Sequence, residues 1–69
     1  MKKYRMIQEE VIKDYNINPK DLDVPFKNSI QATLDVFYNI GLLISNDESF
    51  AEEFKNELRK KYELSIFIK

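Results

Sequence analysis

The sequence predicts a mainly α domain, a three-helix bundle around a central apolar helix with a short C-terminal β-strand. Three observations carry that reading. Residues 36–46, Val-Phe-Tyr-Asn-Ile-Gly-Leu-Leu-Ile-Ser-Asn, hold no charge in a chain that is 33% charged. Stretches of helical period flank this segment on both sides. The chain then runs out in Leu64, Ile66 and Ile68 alternating with Ser65, Phe67 and Lys69, the period of a strand.

In the first helix, about 5–16, Tyr4, Ile7, Gln8, Val11, Ile12 and Tyr15 follow the i, i+3, i+4, i+7 pattern. Glu9 and Lys13 add a favourable i,i+4 pair. Lys2, Lys3 and Arg5 are unfavourable at a helix N-terminus, so the start is expected between Arg5 and Ile7. Residues 16–25 form the main connection. Within it Asn18-Pro19-Lys20-Asp21 offers a cap, a proline at the first helical position and an acid at the third, a single helical turn.

Pro25 pushes Val24 out of the α region and marks the start of the second helix, about 25–44. Phe26, Ile30, Leu34, Phe37, Gly41 and Ile44 fall within about 40° of one line along it. Val36, Ile40 and Leu43 widen the stripe to about half of the helix surface, so the helix is either wrapped on two sides by its own chain or buried against another copy. The lone glycine, Gly41, sits on this buried face, where a close helix approach justifies a propensity cost of about 1 kcal/mol relative to Ala.

A third helix, about 48–62, follows a cap at Asp47 or at Ser49, the latter matching a capping box with Glu52. Phe50, Ala51, Phe54, Leu58 and Lys61 or Tyr62 mark its buried stripe. Its acids lead and Arg59, Lys60 and Lys61 trail, as the helix dipole prefers. The strand, about 63–68, needs a partner: residues 2–7, the same tail of a second subunit, or a strand edge of another protein.

A single domain, 1–69, is the expectation. So short a chain buries only about 60% of its unfolded surface, and such domains commonly rely on disulfides, a metal or oligomerisation. With no Cys and no His, disulfides are impossible and zinc has no thiolate or imidazole ligand. Oligomerisation remains, and Val36, Ile40, Leu43 and Phe67 are the candidate surface of a homodimer. No stretch reaches the roughly 18 apolar residues of a membrane span, and the N-terminus lacks a signal peptide's apolar run. A cytoplasmic protein is therefore expected. Lys, Ile and Asn, with their A/T-rich codons, supply 23 of the 69 residues, pointing to an AT-rich genome such as a low-GC bacterium, its phage or a mobile element.

Charge is unevenly spread. Residues 6–58 carry four lysines against eleven acids, while the two ends carry seven cations against Glu63. If the ends meet, the fold is electrically two-faced.

The candidate chemistries are few. Without His, triads and pH switches built on imidazole are excluded. One helical glycine cannot build a phosphate loop. Asp14-Tyr-Asn-Ile-Asn18 resembles the opening of a calcium loop, but Pro19 and Pro25 stand where the sharp turn and the closing glutamate are needed. These Asp and Asn residues are read as turn formers and caps. Glu53 and Glu57 lie one turn apart beside Glu52, a pattern that suits a solvated helix face better than acid–base catalysis. No cofactor is expected, and the chain is read as a non-enzyme.

Two binding surfaces stay open. The acids Glu52, Glu53 and Glu57 can occupy a basic groove on a protein partner, as expected of a small regulator or inhibitor that blocks a larger host protein. Alternatively Lys2, Lys3, Arg5, Arg59, Lys60 and Lys61 can contact nucleic-acid phosphates. Asp47, Glu48, Glu52 and Glu53 would repel DNA if the third helix entered a major groove. A purely structural homo-oligomer is a third reading.

Overall fold

The computed structural model describes residues 3–64. Helix α1 spans Tyr4–Asp14, a 3-10 turn spans Pro19–Asp21, α2 spans Ile30–Ser45 and α3 spans Glu48–Lys61. The mainly helical expectation holds. Helix α2 lies between the other two. Tyr4 and Gln8 of α1 bond to Asn28 and Thr33, so α1 and α2 start at the same end and run the same way. Helix α3 runs back along α2: Ala51 abuts Gly41, and the Tyr62 ring lies 6.1 Å from that of Phe37.

The start of α2 corrects the sequence reading. Residues 25–29 are not helical, and the helix begins at Ile30 behind the Ser29 cap, whose Oγ accepts the Ala32 N–H at 3.1 Å. The polar groups of residues 27–29 are engaged elsewhere. Asn28 Oδ1 accepts the Tyr4 N–H at 2.8 Å, and the Lys27 carbonyl accepts both the Ser29 N–H and the Gln8 side-chain amide. The apolar phase at Phe26 is real, since this half-buried ring packs on the core, but it does so from a loop. The same Asn28 acceptor explains why α1 starts at Tyr4 despite its basic first turn; Lys3 offers no side-chain cap.

Helix ends are closed without glycine. Asn16, Asn46 and Glu63 take left-handed φ of 56°, 54° and 54°. At the end of α1 the Ile17 N–H bonds the Ile12 carbonyl, and at the end of α3 the Leu64 N–H bonds the Arg59 carbonyl. Both are the 6→1 bonds of a Schellman motif. This overturns the first two residues of the expected strand. Glu63 is left-handed and Leu64 is buried in the core, where it supplies the hydrophobic contact that accompanies such a motif. Residues 65–68, the rest of the expected strand, lie outside the described residues, and so does Phe67. Asp47 rather than Ser49 caps α3, accepting from Ser49 and Phe50 N–H groups at 2.8 and 3.3 Å.

Val11, Val36, Phe37 and Ile40 fill the centre with at most 1% exposure, surrounded by Ile7, Ile12, Leu22, Leu34, Leu58 and Leu64. Leu22, Ile17 and Val24 bring the connection down onto this core. Val36 and Ile40 are thus covered by their own chain, which removes them from the expected homodimer surface; of the described residues proposed there, Leu43 alone is exposed.

Two features of the interior are specific. A Cβ on Gly41 would stand 2.8 Å from Ala51 Cα, so the α2–α3 approach admits no side chain there. Gln8 is fully buried, and its Nε2 donates to the Lys27 carbonyl at 2.7 Å and to Thr33 Oγ1 at 2.8 Å. Thr33 in turn donates to the Ser29 carbonyl at 2.7 Å. Gln8 Oε1 is buried with no donor, at a desolvation cost of about 1–3 kcal/mol. Flipping the amide would be worse, because an oxygen would then face the Lys27 carbonyl.

Gly41→Ala should destabilise the protein. Overpacking costs roughly 1–3 kcal/mol against a propensity gain of about 1 kcal/mol. A thermal melt should show a midpoint several degrees lower; a higher midpoint would refute the close approach. Gln8→Glu buries a carboxylate against acceptors and should lower stability by roughly 3 kcal/mol at about pH 7. Its folded-state pKa would lie above the ordinary glutamate value of about 4.3, so stability is retained below that value and lost as pH rises through the folded pKa. Urea midpoints of this variant that do not recover on acidification would contradict the assignment.

Candidate functional site

Several hydroxyl and amide groups serve the fold. Ser29 caps α2, and Ser45 Oγ donates to the Gly41 carbonyl at 2.6 Å and accepts the Asp47 N–H. Asn18 caps the 3-10 turn and Asn16 closes α1, the turn-forming roles expected of the Asp14–Asn18 stretch. Among the described residues no group of His, Cys, Asp or Glu is arranged to hold a metal ion. None of the described helices is long and apolar enough to cross a membrane.

Lys3 and Arg5 begin α1 at the end of the bundle where α2 starts, whereas Tyr62, which directly follows Arg59, Lys60 and Lys61, bonds Glu10 in the second half of α1 and has the Asp14 carboxylate near its phenol. Lys3, Arg5, Lys60 and Lys61 are exposed and Arg59 is half-buried. Lys2 lies outside the described residues. Asp14 is the last residue of α1, and Asp47 and Glu48 open α3.

The three glutamates expected to act together are divided. Glu52 is paired with Lys55 at 2.8 Å, a surface i,i+3 contact worth little to stability. Glu53 and Glu57 are exposed and one turn apart. At 100° per residue they lie on the side of α3 that carries Phe50, about 100° or more away from Glu52. The acidic face is thus Glu53 and Glu57, adjoining an aromatic row.

That row is what the sequence reading missed. Tyr15 meets Phe54 edge to face at 5.1 Å, and Phe54 stacks with Phe50 at 5.9 Å. Pairs of this kind are worth about 0.5–1.5 kcal/mol beyond their burial. Tyr15 and Phe50, assigned to buried stripes, are 42% and 41% exposed; Ile44, on the central line of α2, is 46% exposed. The signal was the difference in helix length: the first apolar pattern stops at Tyr15, while that of the central helix runs to Ile44.

A polar contact ties α1 to the end of α3. The Tyr62 hydroxyl donates to Glu10 Oε2 at 3.2 Å, and Lys61 Nζ lies 5.5 Å from the Tyr62 ring centroid. Burial, then the nearby Glu10 carboxylate that it bonds, push the Tyr62 phenol from 10.0 up to about 12.

No protein family, curated protein or solved structure matches this chain.

Because the folded pKa of Tyr62 exceeds the unfolded one, its contribution is complete below about pH 10 and is lost as pH rises towards 12. Tyr62→Phe should therefore flatten the alkaline loss of stability in that window and remove the late-titrating phenol from a tyrosinate absorbance titration. A wild-type titration without a late phenol would contradict the Glu10 contact.

Proposed function

We propose that this chain is a non-enzymatic interaction protein that binds and blocks a protein partner, the exposed acidic side of α3 being its contact. The observation that carries the reading is the pairing of exposed surface acids with aromatic groups: Glu53 lies one helical turn after Phe50, which is 41% exposed, and Glu57 one turn after half-buried Phe54. Exposed apolar groups with a charged border characterise protein contacts, and border charges set partner choice and encounter rate. The serines and asparagines engaged in capping support a role without chemistry of its own. A regulator or inhibitor of a larger protein is the form of this reading that fits so small a chain.

A second reading is nucleic-acid binding through the exposed Lys3, Arg5, Lys60 and Lys61 with half-buried Arg59, cations that suit phosphates. The two make opposite predictions in affinity capture from a lysate of the source organism. Under the first, one protein is retained after nuclease treatment, and Glu53→Lys with Glu57→Lys abolishes capture without lowering the melting temperature. Under the second, retention vanishes with nuclease or salt and with neutral residues at Arg59, Lys60 and Lys61. Capture unaffected by the glutamate reversals would remove the acidic-face reading.

A further inference from the structure

Four of the five large apolar side chains exposed among the described residues, Tyr15, Leu43, Ile44 and Phe50, belong to the end of the bundle where α1 stops. Met6, the fifth, is in the first turn of α1. Leu43 stands seven residues after Val36 and three after Ile40; Ile44 stands seven after Phe37 and four after Ile40. All three reference residues are fully buried, so Leu43 and Ile44 continue the core stripe of α2 in the same rotational phase. They are uncovered because α1 has 11 residues and α2 has 16. The left-handed Asn16 turns the chain away just after α1. Phe54 touches the Gly41 position, and through its rings Tyr15 and Phe50 border the same uncovered stretch.

We infer that this stretch, in line with α1 and between α2 and α3, is a docking site for an amphipathic helix of a partner protein that carries lysine or arginine along its flanks. The inference rests on the acidic-face reading and supplies its apolar centre. Helical shape follows from the place: the vacant position continues the packing of a helix, and the core stripe there repeats at i, i+3, i+4 and i+7. The charge of the occupant follows from the border. Asp47 and Glu48 open α3, Glu53 follows Phe50 by one turn and Glu57 follows Phe54 by one turn, all four acids exposed. Glu52 is set apart by Lys55. An apolar contact enclosed by carboxylates accepts cationic flanks and rejects acidic ones.

The test uses the full chain, isotope-labelled for NMR, and two synthetic amphipathic peptides with identical leucine spacing, one flanked by lysines and one by glutamates. The lysine peptide should bind at least about tenfold more tightly and shift resonances of Tyr15, Leu43, Ile44 and Phe50. Leu43→Ser and Phe50→Ser should each weaken it about tenfold while the helical circular dichroism is kept. Leu43 makes none of the ring contacts, so its variant carries the test if Phe50→Ser unfolds. Equal affinity for both peptides, or shifts confined to Lys3–Arg5 or to Arg59–Lys61, would overturn the inference. Concentration-dependent self-association abolished by Leu43→Ser would overturn it in favour of a second copy. Loss of binding on Glu53→Lys and Glu57→Lys, but not on Leu43→Ser or Phe50→Ser, would overturn the apolar centre and leave the acidic face standing. Loss with the serine variants alone would do the reverse.

Discussion

The α2–α3 approach at Gly41 is the constraint on which the rest depends. With only a hydrogen in place of a side chain, Gly41 lets the Ala51 backbone come against α2. That sets the register in which α3 runs back: Phe37 and Tyr62 meet, and Leu58 and Leu64 reach the core. It also presses Phe54 against α2, which in turn presents its ring to Tyr15 and Phe50. A chain this small gains little from area alone, and close backbone contact with dense dispersion is one of the few reinforcements open without disulfide or metal.

The opposite helix pair is fixed by polar groups. Gln8 reaches from α1 to the Lys27 carbonyl and to Thr33, Thr33 returns to the Ser29 carbonyl, and Asn28 receives the first N–H of α1. This clasp specifies the axial position of α1 against α2 in a way that an apolar seam of interchangeable aliphatic side chains does not. It leaves one buried oxygen unsatisfied, so its value lies in geometry more than in net free energy. It also shapes the segment before α2, because the Lys27 carbonyl and the Asn28 side chain are committed to α1.

Local signals were readable where local chemistry decides, as with the Asn18–Pro19 turn, the Gly41 approach and the trailing cations of α3. They failed where a distant residue intervened. Asn28 moved the start of α1 upstream to Tyr4, and the demands of Gln8 on Lys27 moved the start of α2 downstream to Ile30. At Leu64, an alternation of apolar residues could not be told from the hydrophobic contact of a Schellman motif, since both place a leucine just after a polar residue. At the candidate site, the acids were visible as residues but not their grouping. Glu52 looked equivalent to Glu53 and Glu57 until Lys55 claimed it.

The exposure of Ile44 and Leu43 follows from the same constraint that stabilises the bundle. Once Gly41 fixes α3 against α2, the two-residue connection at Asn46–Asp47 places the start of α3 beside the end of α2, beyond Asp14. Ile44 near the end of α2 and Phe50 near the start of α3 stand on either side of that connection, both exposed. Extending α1 by one turn would cover them, yet Asn16 closes the helix and sends the chain across the core through Ile17 and Leu22. The apolar end is therefore built in by helix length and turn position. Its acidic border has a separate origin, in the dipole-favoured acids that open α3. Neither feature by itself defines a binding site; their coincidence at one end gives that end both a hydrophobic contact and a charge preference.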